Sequence, residues 1–346
     1  MVSVRWVGSG ARLGALLAAA LLEIWPAAHA QADTLEVGPS QEYKTPSAAA
    51  QAASPGDTIE IEPGQYYDCA VWKPSRLTIV GKGPGVVITD TVCQGKGLFI
   101  TVGDDITIRG ITFARARVPE GNGAGIRAEG KNLTVEESRF VDNENGILTV
   151  TNSPGSTVRI LRSEFLQNGK CVHSCAHGLS VGHVALLHVE GCKFLGTRAG
   201  HHIRSQAMRT ELIRNEIGDG PDGTSSYLVD IPDGGSLVME RNLIEKGPKS
   251  SNTRAAVMIG DESAAQPATE VRIIDNVFTN DSPDHTAFVL DWSGADVQVS
   301  GNTLYGDVTE VSTRGAWIHA VRAHASATKA GVIDFAKRFA KRVRDW

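Results

Sequence analysis

Short segments with apolar residues at alternate positions recur along this chain at a nearly constant interval. They are ITIRGITF (106–113), LTVEESRF (133–140), VRILRSEF (158–165), LHVEGCKF (187–194), TELIRNEI (210–217), LVMERNLI (237–244), VRIIDNVF (271–278) and VQVSGNTL (297–304). Their last residues lie 27, 25, 29, 23, 27, 34 and 26 apart. Positions one and three of each octet are mostly apolar and position two mostly polar, which predicts a short strand with one buried face. Position six is Asn215, Asn242, Asn276 and Asn302 in the last four octets, and Ser138, Ser163 and Cys192 in three before them. An amide at the same place in every repeat can bond the backbone of the neighbouring coil, as donor and as acceptor, while holding a tight bend. Unrelated strands of a sandwich give no such column. A repeat of about 25 residues cannot bury its apolar face alone, so the pattern predicts coils stacked into a solenoid of parallel strands.

A third segment of each coil is registered by its inward residues. The segments HGLSV (177–181), HHIRS (201–205) and YLVDI (227–231) place Leu179, Ile203 and Val229 in the core and turn Ser180, Arg204 and Asp230 outward. Neighbouring strands lie about 4.8 Å apart, so Arg204 should sit between Ser180 and Asp230. His177, His201 and Tyr227 form a second column roughly 10 Å upstream along the strand. His183 follows the first of these strands, and Asp233 occupies the corresponding turn two coils later.

The ends of the chain follow different rules. Arg5 and Arg12 precede an apolar run over 13–22, and Ala28-His29-Ala30 fits a small-x-small cleavage site. That combination predicts a secretory leader too short to span a bilayer, and therefore export to the periplasm or the extracellular space. In YKTPSAAAQAASPGD (43–57), Thr45 is placed to N-cap a short helix with Pro46 at its first position, covering the open end of the first coil. At the other end Val332, Phe335, Ala336, Phe339 and Val343 recur at helical spacing, with Lys337, Arg338, Lys341, Arg342 and Arg344 on the remaining faces. Such a helix docks on the last coil or lies on an anionic surface, a membrane or an acidic polymer; the third reading is a disordered tail. The expected organisation is a leader at 1–30, a strand and capping helix at 31–58, the solenoid at 59–306, and a C-terminal segment with a basic amphipathic helix at 307–346.

Composition changes this picture little. The formal net charge of −5 argues against a nucleic-acid partner. The five cysteines leave at least one unpaired within a monomer. In an exported chain Cys69 and Cys93, about one repeat apart, are expected to pair, and Cys171 and Cys175 to close a small loop. Cys192 takes the place of a ladder asparagine and is expected to be a buried free thiol. The run CVHSCAH (171–177) has a rival reading as a metal loop, with Cys175, His177 and His201 as its candidate ligands.

The asparagine column, the coil length and the phrase PGDTIEIEPGQY (55–66) resemble the right-handed parallel β-helix proteins of the pectin-lyase-like class, over residues 34 to about 306. The resemblance implies an all-β solenoid that acts on a polysaccharide, most specifically a lyase that cleaves a uronate-containing polymer by β-elimination. Elimination needs a base for the C5 proton and a positive group at the uronate carboxylate. Arg204 is the candidate base or carboxylate clamp, His201 or His177 the acid, and Tyr227 an alternative donor. Ser180, His183, His202 and Asp230 are the candidate substrate contacts. Arg204-Ser205 is loosely similar to the Lys-Ser pair of alginate and chondroitin lyases of this fold, but their acidic calcium ligand corresponds here to Ala199. No cofactor motif is present, and a divalent cation is the one cofactor this chemistry admits. The alternatives from other classes are a non-catalytic polysaccharide-binding or envelope-assembly scaffold, and a metal-binding periplasmic protein. Polygalacturonase-like hydrolases need grouped aspartates and a Gly-His-Gly segment, and pectin esterases need paired aspartates and an Arg-Pro-Trp segment. Neither set is evident in the sequence.

Overall fold

Each octet folds as a strand, a tight bend and a second strand. Its first half joins an 11-stranded sheet that begins at Thr34–Val37 and ends at Val297–Ser300. Its second half joins a ten-stranded sheet running from Gly64–Tyr66 to Thr303–Tyr305. A third sheet, ten strands from Ala70–Trp72 to Val308–Thr313, completes each coil. Neighbouring strands in all three pair in parallel, for example Arg159 with His188 and His188 with Glu211 in the first. This computed structural model describes residues 1–5, 8, 32–149, 152–263, 265–268 and 270–314. The sheets extend past both ends of the expected 59–306, because the N-terminal strand Thr34–Val37 is itself the first rung of the first sheet, paired with Thr58–Ile61.

The bend inside the octet is set at position five, which is left-handed in all eight. Glycine supplies this at 110, 191 and 301, whereas Glu137, Arg162, Arg214, Arg241 and Asp275 adopt it with φ of 47–54°. A non-glycine residue there costs about 1–2 kcal/mol, and the hydrogen bonds of position six offset that cost. Asn215 Oδ1 accepts from Cys192 N–H at 2.9 Å, Asn242 Oδ1 from Asn215 N–H at 2.8 Å, Asn276 Oδ1 from Asn242 N–H at 2.9 Å, and Asn302 Oδ1 from Asn276 N–H at 3.0 Å. Position eight faces the core. Phe113, Phe140, Phe165 and Phe194 stack with centroids 5.3, 4.7 and 4.4 Å apart, each pair adding about 0.5–1.5 kcal/mol beyond its buried area.

The short helix forms where its cap predicts. It spans Pro46–Ala52, Thr45 Oγ1 accepts from Ala48 N–H at 3.3 Å, and the helix packs on Thr34–Val37 and Ala70–Trp72. Cys69 is bonded to Cys93 and Cys171 to Cys175, and Cys192 is free and buried. Pairing of Cys175 removes it as a metal ligand, which corrects that expectation. Most of the leader expected at 1–30, including its apolar run and cleavage site, and the amphipathic segment at 332–343 lie outside the described residues. No described helix is long and apolar enough to cross a membrane.

Candidate functional site

The third sheet carries the two outward columns in the predicted register. Leu179, Ile203 and Val229 are in the core, Ser180 pairs with Arg204, and Arg204 pairs with Asp230. In the upstream column the rings are parallel: His177 and His201 have centroids 5.0 Å apart, and His201 and Tyr227 5.6 Å. Their hydrogen bonds make them the rungs of a second ladder. His177 N–H donates to Asn145 Oδ1 at 2.8 Å, His201 N–H to His177 Nδ1 at 3.0 Å, and Tyr227 N–H to His201 Nδ1 at 3.1 Å. His201 Nδ1 also lies 3.2 Å from the Tyr227 carbonyl, but a nitrogen that accepts an N–H cannot donate at the same time. We take the acceptor role, which His177 shows without that ambiguity, so both neutral rings carry their proton on Nε2.

Burial keeps both rings neutral. It pushes His177 well below the ordinary histidine value, with His201 and Arg204 adding to the effect. His201 is lowered to about 4, by burial first; the Tyr227 backbone opposes the shift and Arg204 reinforces it. A histidine that is neutral at physiological pH has no second proton to give, so these rings are poor general acids as they stand. Tyr227 is buried, and its phenol is pushed up by that burial.

Arg204 lies between carboxylates. Its Nε is 3.4 Å from Asp230 Oδ2, and its Nη2 donates to Glu262 Oε1 at 2.7 Å. His201 Nε2 faces the same Asp230 oxygen at 3.6 Å. The other Asp230 oxygen, Oδ1, is buried and accepts from no donor, and the same holds for Asp261 Oδ1. The two carboxyls lie close enough for each to affect the other's titration. Burial, then the Asp261 charge, raises Asp230 to about 8. Asp261 is raised as well, by burial and then by Glu262. Two neighbouring buried carboxyls cannot both ionise cheaply, so Asp230 keeps its proton at neutral pH. The site thus holds a carboxylic acid, a carboxylate and a guanidinium side by side.

The remaining predicted residues are placed as follows. Ser180 pairs with Arg204 on the outward side of the sheet but is buried, 9 % exposed. His183 is bonded to Asp233 at 3.1 Å, and that carboxylate also accepts from Gln206 at 2.8 Å and Ser263 at 2.6 Å. His202 does not reach the surface. It is fully buried, 2.8 Å from Thr197 Oγ1 and 3.0 Å from Asp219 Oδ1, because the chain corners just before the strand and turns residue 202 inward. Its expected substrate contact is corrected on that ground. Among the described residues no group of three or more His, Cys, Asp and Glu is placed to hold a metal. Beside the columns lies a cavity of about 310 Å³ lined by Arg117, Lys170 and Arg198, whose charges rest on Asp142 and Glu144.

Asp261 and Glu262 are the residues that sequence reasoning missed. Strand register places Met258, not a carboxylate, next to Asp230. The acids come from the turn that follows, where Gly260 has φ of 77° and Glu262 N–H donates to Pro232 O at 3.1 Å. The signal available in the sequence was IGDES (259–263), an acidic turn directly after an outward strand.

The family described as "Right handed beta helix region" matches residues 75–217. No curated protein sequence matches significantly. Among solved structures, pectate lyase Pel9A is similar with a TM-score of 0.55 and 14% identity, over 86% of this chain and 84% of that one. The pectin methylesterase from Aspergillus niger is similar with a TM-score of 0.41 and 14% identity, over 90% of this chain and 95% of that one. Identity this low speaks for the fold alone. By its coil length, its ladder and its three parallel sheets, the chain has the fold of a right-handed parallel β-helix, in keeping with the family match over 75–217 and the likeness to the pectate lyase structure.

Proposed function

We propose that this protein is exported and acts on an acidic, uronate-containing polysaccharide by β-elimination at the outward face of the third sheet. The observation that carries this reading is the Asp230–Asp261 pair beside Arg204, a proton donor and a proton acceptor next to a fixed positive charge. A guanidinium offers donors and no acceptor, so Arg204 serves as the clamp on the uronate carboxylate and the carboxyl pair moves the protons. The ionised carboxylate takes the C5 proton, the C4–O4 bond breaks as C4=C5 forms, and the protonated partner returns a proton to the departing oxygen. Arg204 offsets the charge that gathers on the uronate carboxylate in between. Tyr227, His201 and His177 form the wall beside this centre, with Ser180 and His183 along the path of the chain. The ten-stranded third sheet offers a face long enough for a linear polymer. The two disulfides suit an oxidising compartment, and a pectate lyase of similar fold adds weight to the uronate.

The carboxyl pair also favours a second reading, hydrolysis, since one acid and one base flanking a bond suffice for it. Incubating the protein with a panel of uronate polymers separates the readings. Elimination gives absorbance near 235 nm together with new reducing ends, and Asp230→Asn and Arg204→Ala each abolish both signals. Reducing ends without that absorbance assign hydrolysis. Retarded migration in polymer-containing gels without any cleavage assigns a binding module and ends the catalytic reading.

A further inference from the structure

The second outward column of the third sheet continues from Arg204 toward the earlier coils. Arg204 pairs with Ser180, Ser180 with Leu148, and Leu148 with Arg127. Arg127 stands between Ile126 and Ala128, both in the core, so its side chain leaves the outer face. It is half-buried, and its Nε is buried without an acceptor. The acid that acts on it is Glu129, whose carboxylate meets Lys96 Nζ at 2.6 Å, and among the described residues Arg127 itself is in no ion pair. Other arginines that rest on no carboxylate, such as Arg109, Arg159 and Arg241, stand exposed, where water satisfies them. A buried donor left unmet costs free energy and calls for an explanation. The upstream column adds a second feature. At this coil it carries only Gly97 and Ala124, and a Cβ at Gly97 would lie 3.3 Å from Arg127 Cβ, so the two columns lean toward one another there.

We propose that Arg127 holds a second carboxylate of the same polyuronate, three strand spacings or about 14 Å from the one on Arg204. The assignment rests on the uronate reading of the Arg204 site and gives that site a direction and a length. A carboxylate supplies the acceptor that Nε lacks, and a guanidinium takes it through two parallel N–H bonds. Between the two cations the polymer crosses Leu148, a half-buried apolar side chain that suits the C–H face of a sugar, and Ser180, whose hydroxyl suits its oxygens. The other direction offers no such grip. Past Asp230 the column continues as Met258 and Leu290, without a cation. The bound chain therefore extends from the carboxyl pair toward the earlier coils, and the protein reads a run of several uronates instead of a single one.

The test is calorimetric binding of oligogalacturonates, oligomannuronates and oligoglucuronates of two and of six sugars, as free acids and as methyl esters. The full chain carries Asp230→Asn throughout, so that nothing is cleaved during the titration. Adding Arg127→Gln is expected to weaken binding of the six-sugar acid about tenfold or more, the loss of a charge-assisted bond. The loss should be much smaller with two sugars, too short to reach Arg127 from Arg204, and absent with the six-sugar ester. Arg127→Lys keeps the charge without the fork and should recover part of the affinity. Equal losses for acid and ester, or for two and six sugars, give Arg127 a structural role and overturn the assignment. Unchanged affinity for the six-sugar acid overturns it as well, while leaving the uronate reading of Arg204 in place. A chain that binds none of these oligomers before Arg127 is altered overturns both, so the two failures are told apart.

Discussion

The asparagine ladder and the ring ladder cross the same coils and do the same mechanical job with opposite polarity. In the first, the side chain of the later coil accepts the backbone N–H of the earlier one, as Asn242 does for Asn215. In the second, the later coil donates its N–H to the side chain of the earlier one, as Tyr227 does to His201. An amide rung also gives something back: Asn242 Nδ2 donates to Leu212 O at 2.8 Å. It has no charge to gain or lose, so it holds at any pH. An imidazole rung accepts only while it is neutral, and its second nitrogen is left over. At His201 that nitrogen faces Asp230. The ring ladder therefore accepts a restricted pH range in return for a polar group at the surface, beside the carboxyl pair.

Breaking the amide ladder should do the most damage. Asn242→Leu leaves the N–H of Asn215 and the carbonyl of Leu212 buried without partners, at a cost of roughly 2–4 kcal/mol in all. Chemical denaturation should show that loss equally at pH 5 and pH 8, since nothing titratable is removed. A loss confined to one end of that range would mean that the two ladders are coupled.

The ring ladder and its neighbour should respond to pH in opposite directions. Between about 4, where His201 titrates in the fold, and its ordinary value near 6.5, the unfolded chain binds more protons than the folded one. Stability then falls as pH drops through that window. Asp230 is the reverse. From its ordinary value near 4 up to about 8, the folded chain keeps a proton that the unfolded chain releases, so stability falls as pH rises. His201→Asn keeps an acceptor for Tyr227 N–H and should abolish the acid-side loss, whereas His201→Leu should cost roughly 1–3 kcal/mol at every pH. Asp230→Asn should raise the melting temperature at pH 8 and leave it nearly unchanged at pH 4. Melting curves of the three variants across pH 4–8 check both signs, and parallel curves for His201→Asn and the parent chain would remove the histidine from this account.

How much of this was legible in the sequence follows from the same contrast. The amide ladder repeats one residue type at one octet position, so Asn215, Asn242, Asn276 and Asn302 announced it. The strand register of Ser180, Arg204 and Asp230 was legible too, because the side-chain period of a strand is fixed. The ring ladder was not, since Asn145, His177, His201 and Tyr227 are different residues doing one job, and the histidines suggested acid chemistry instead of backbone bonding. Asp261 and Glu262 were hidden for another reason. They reach the site from a turn, whose path depends on long-range contacts such as that of Glu262 N–H with Pro232 O. His202 was misplaced because a corner interrupts the alternation just ahead of its strand.

The smallest expected effect lies where the amide ladder is incomplete. Cys192 occupies a rung, accepting from Ser163 N–H at 3.4 Å through sulfur and lying 3.4 Å from Ile160 O. Burial raises its thiol to about 12, so it stays a protonated thiol, a weak donor and a weak acceptor. Cys192→Asn places an amide where Asn215 stands one coil on, able to accept from Ser163 N–H and to donate to Ile160 O as Asn215 does to Val189 O at 3.0 Å. Replacing two weak sulfur contacts by two ordinary hydrogen bonds should add about 0.5–1.5 kcal/mol, seen as a higher denaturation midpoint with an unchanged slope. A loss instead would mean that this coil is packed too tightly for an amide. The run of Ser138, Ser163 and Cys192 would then mark where the Phe stack sets the spacing of the coils and the ladder only follows it.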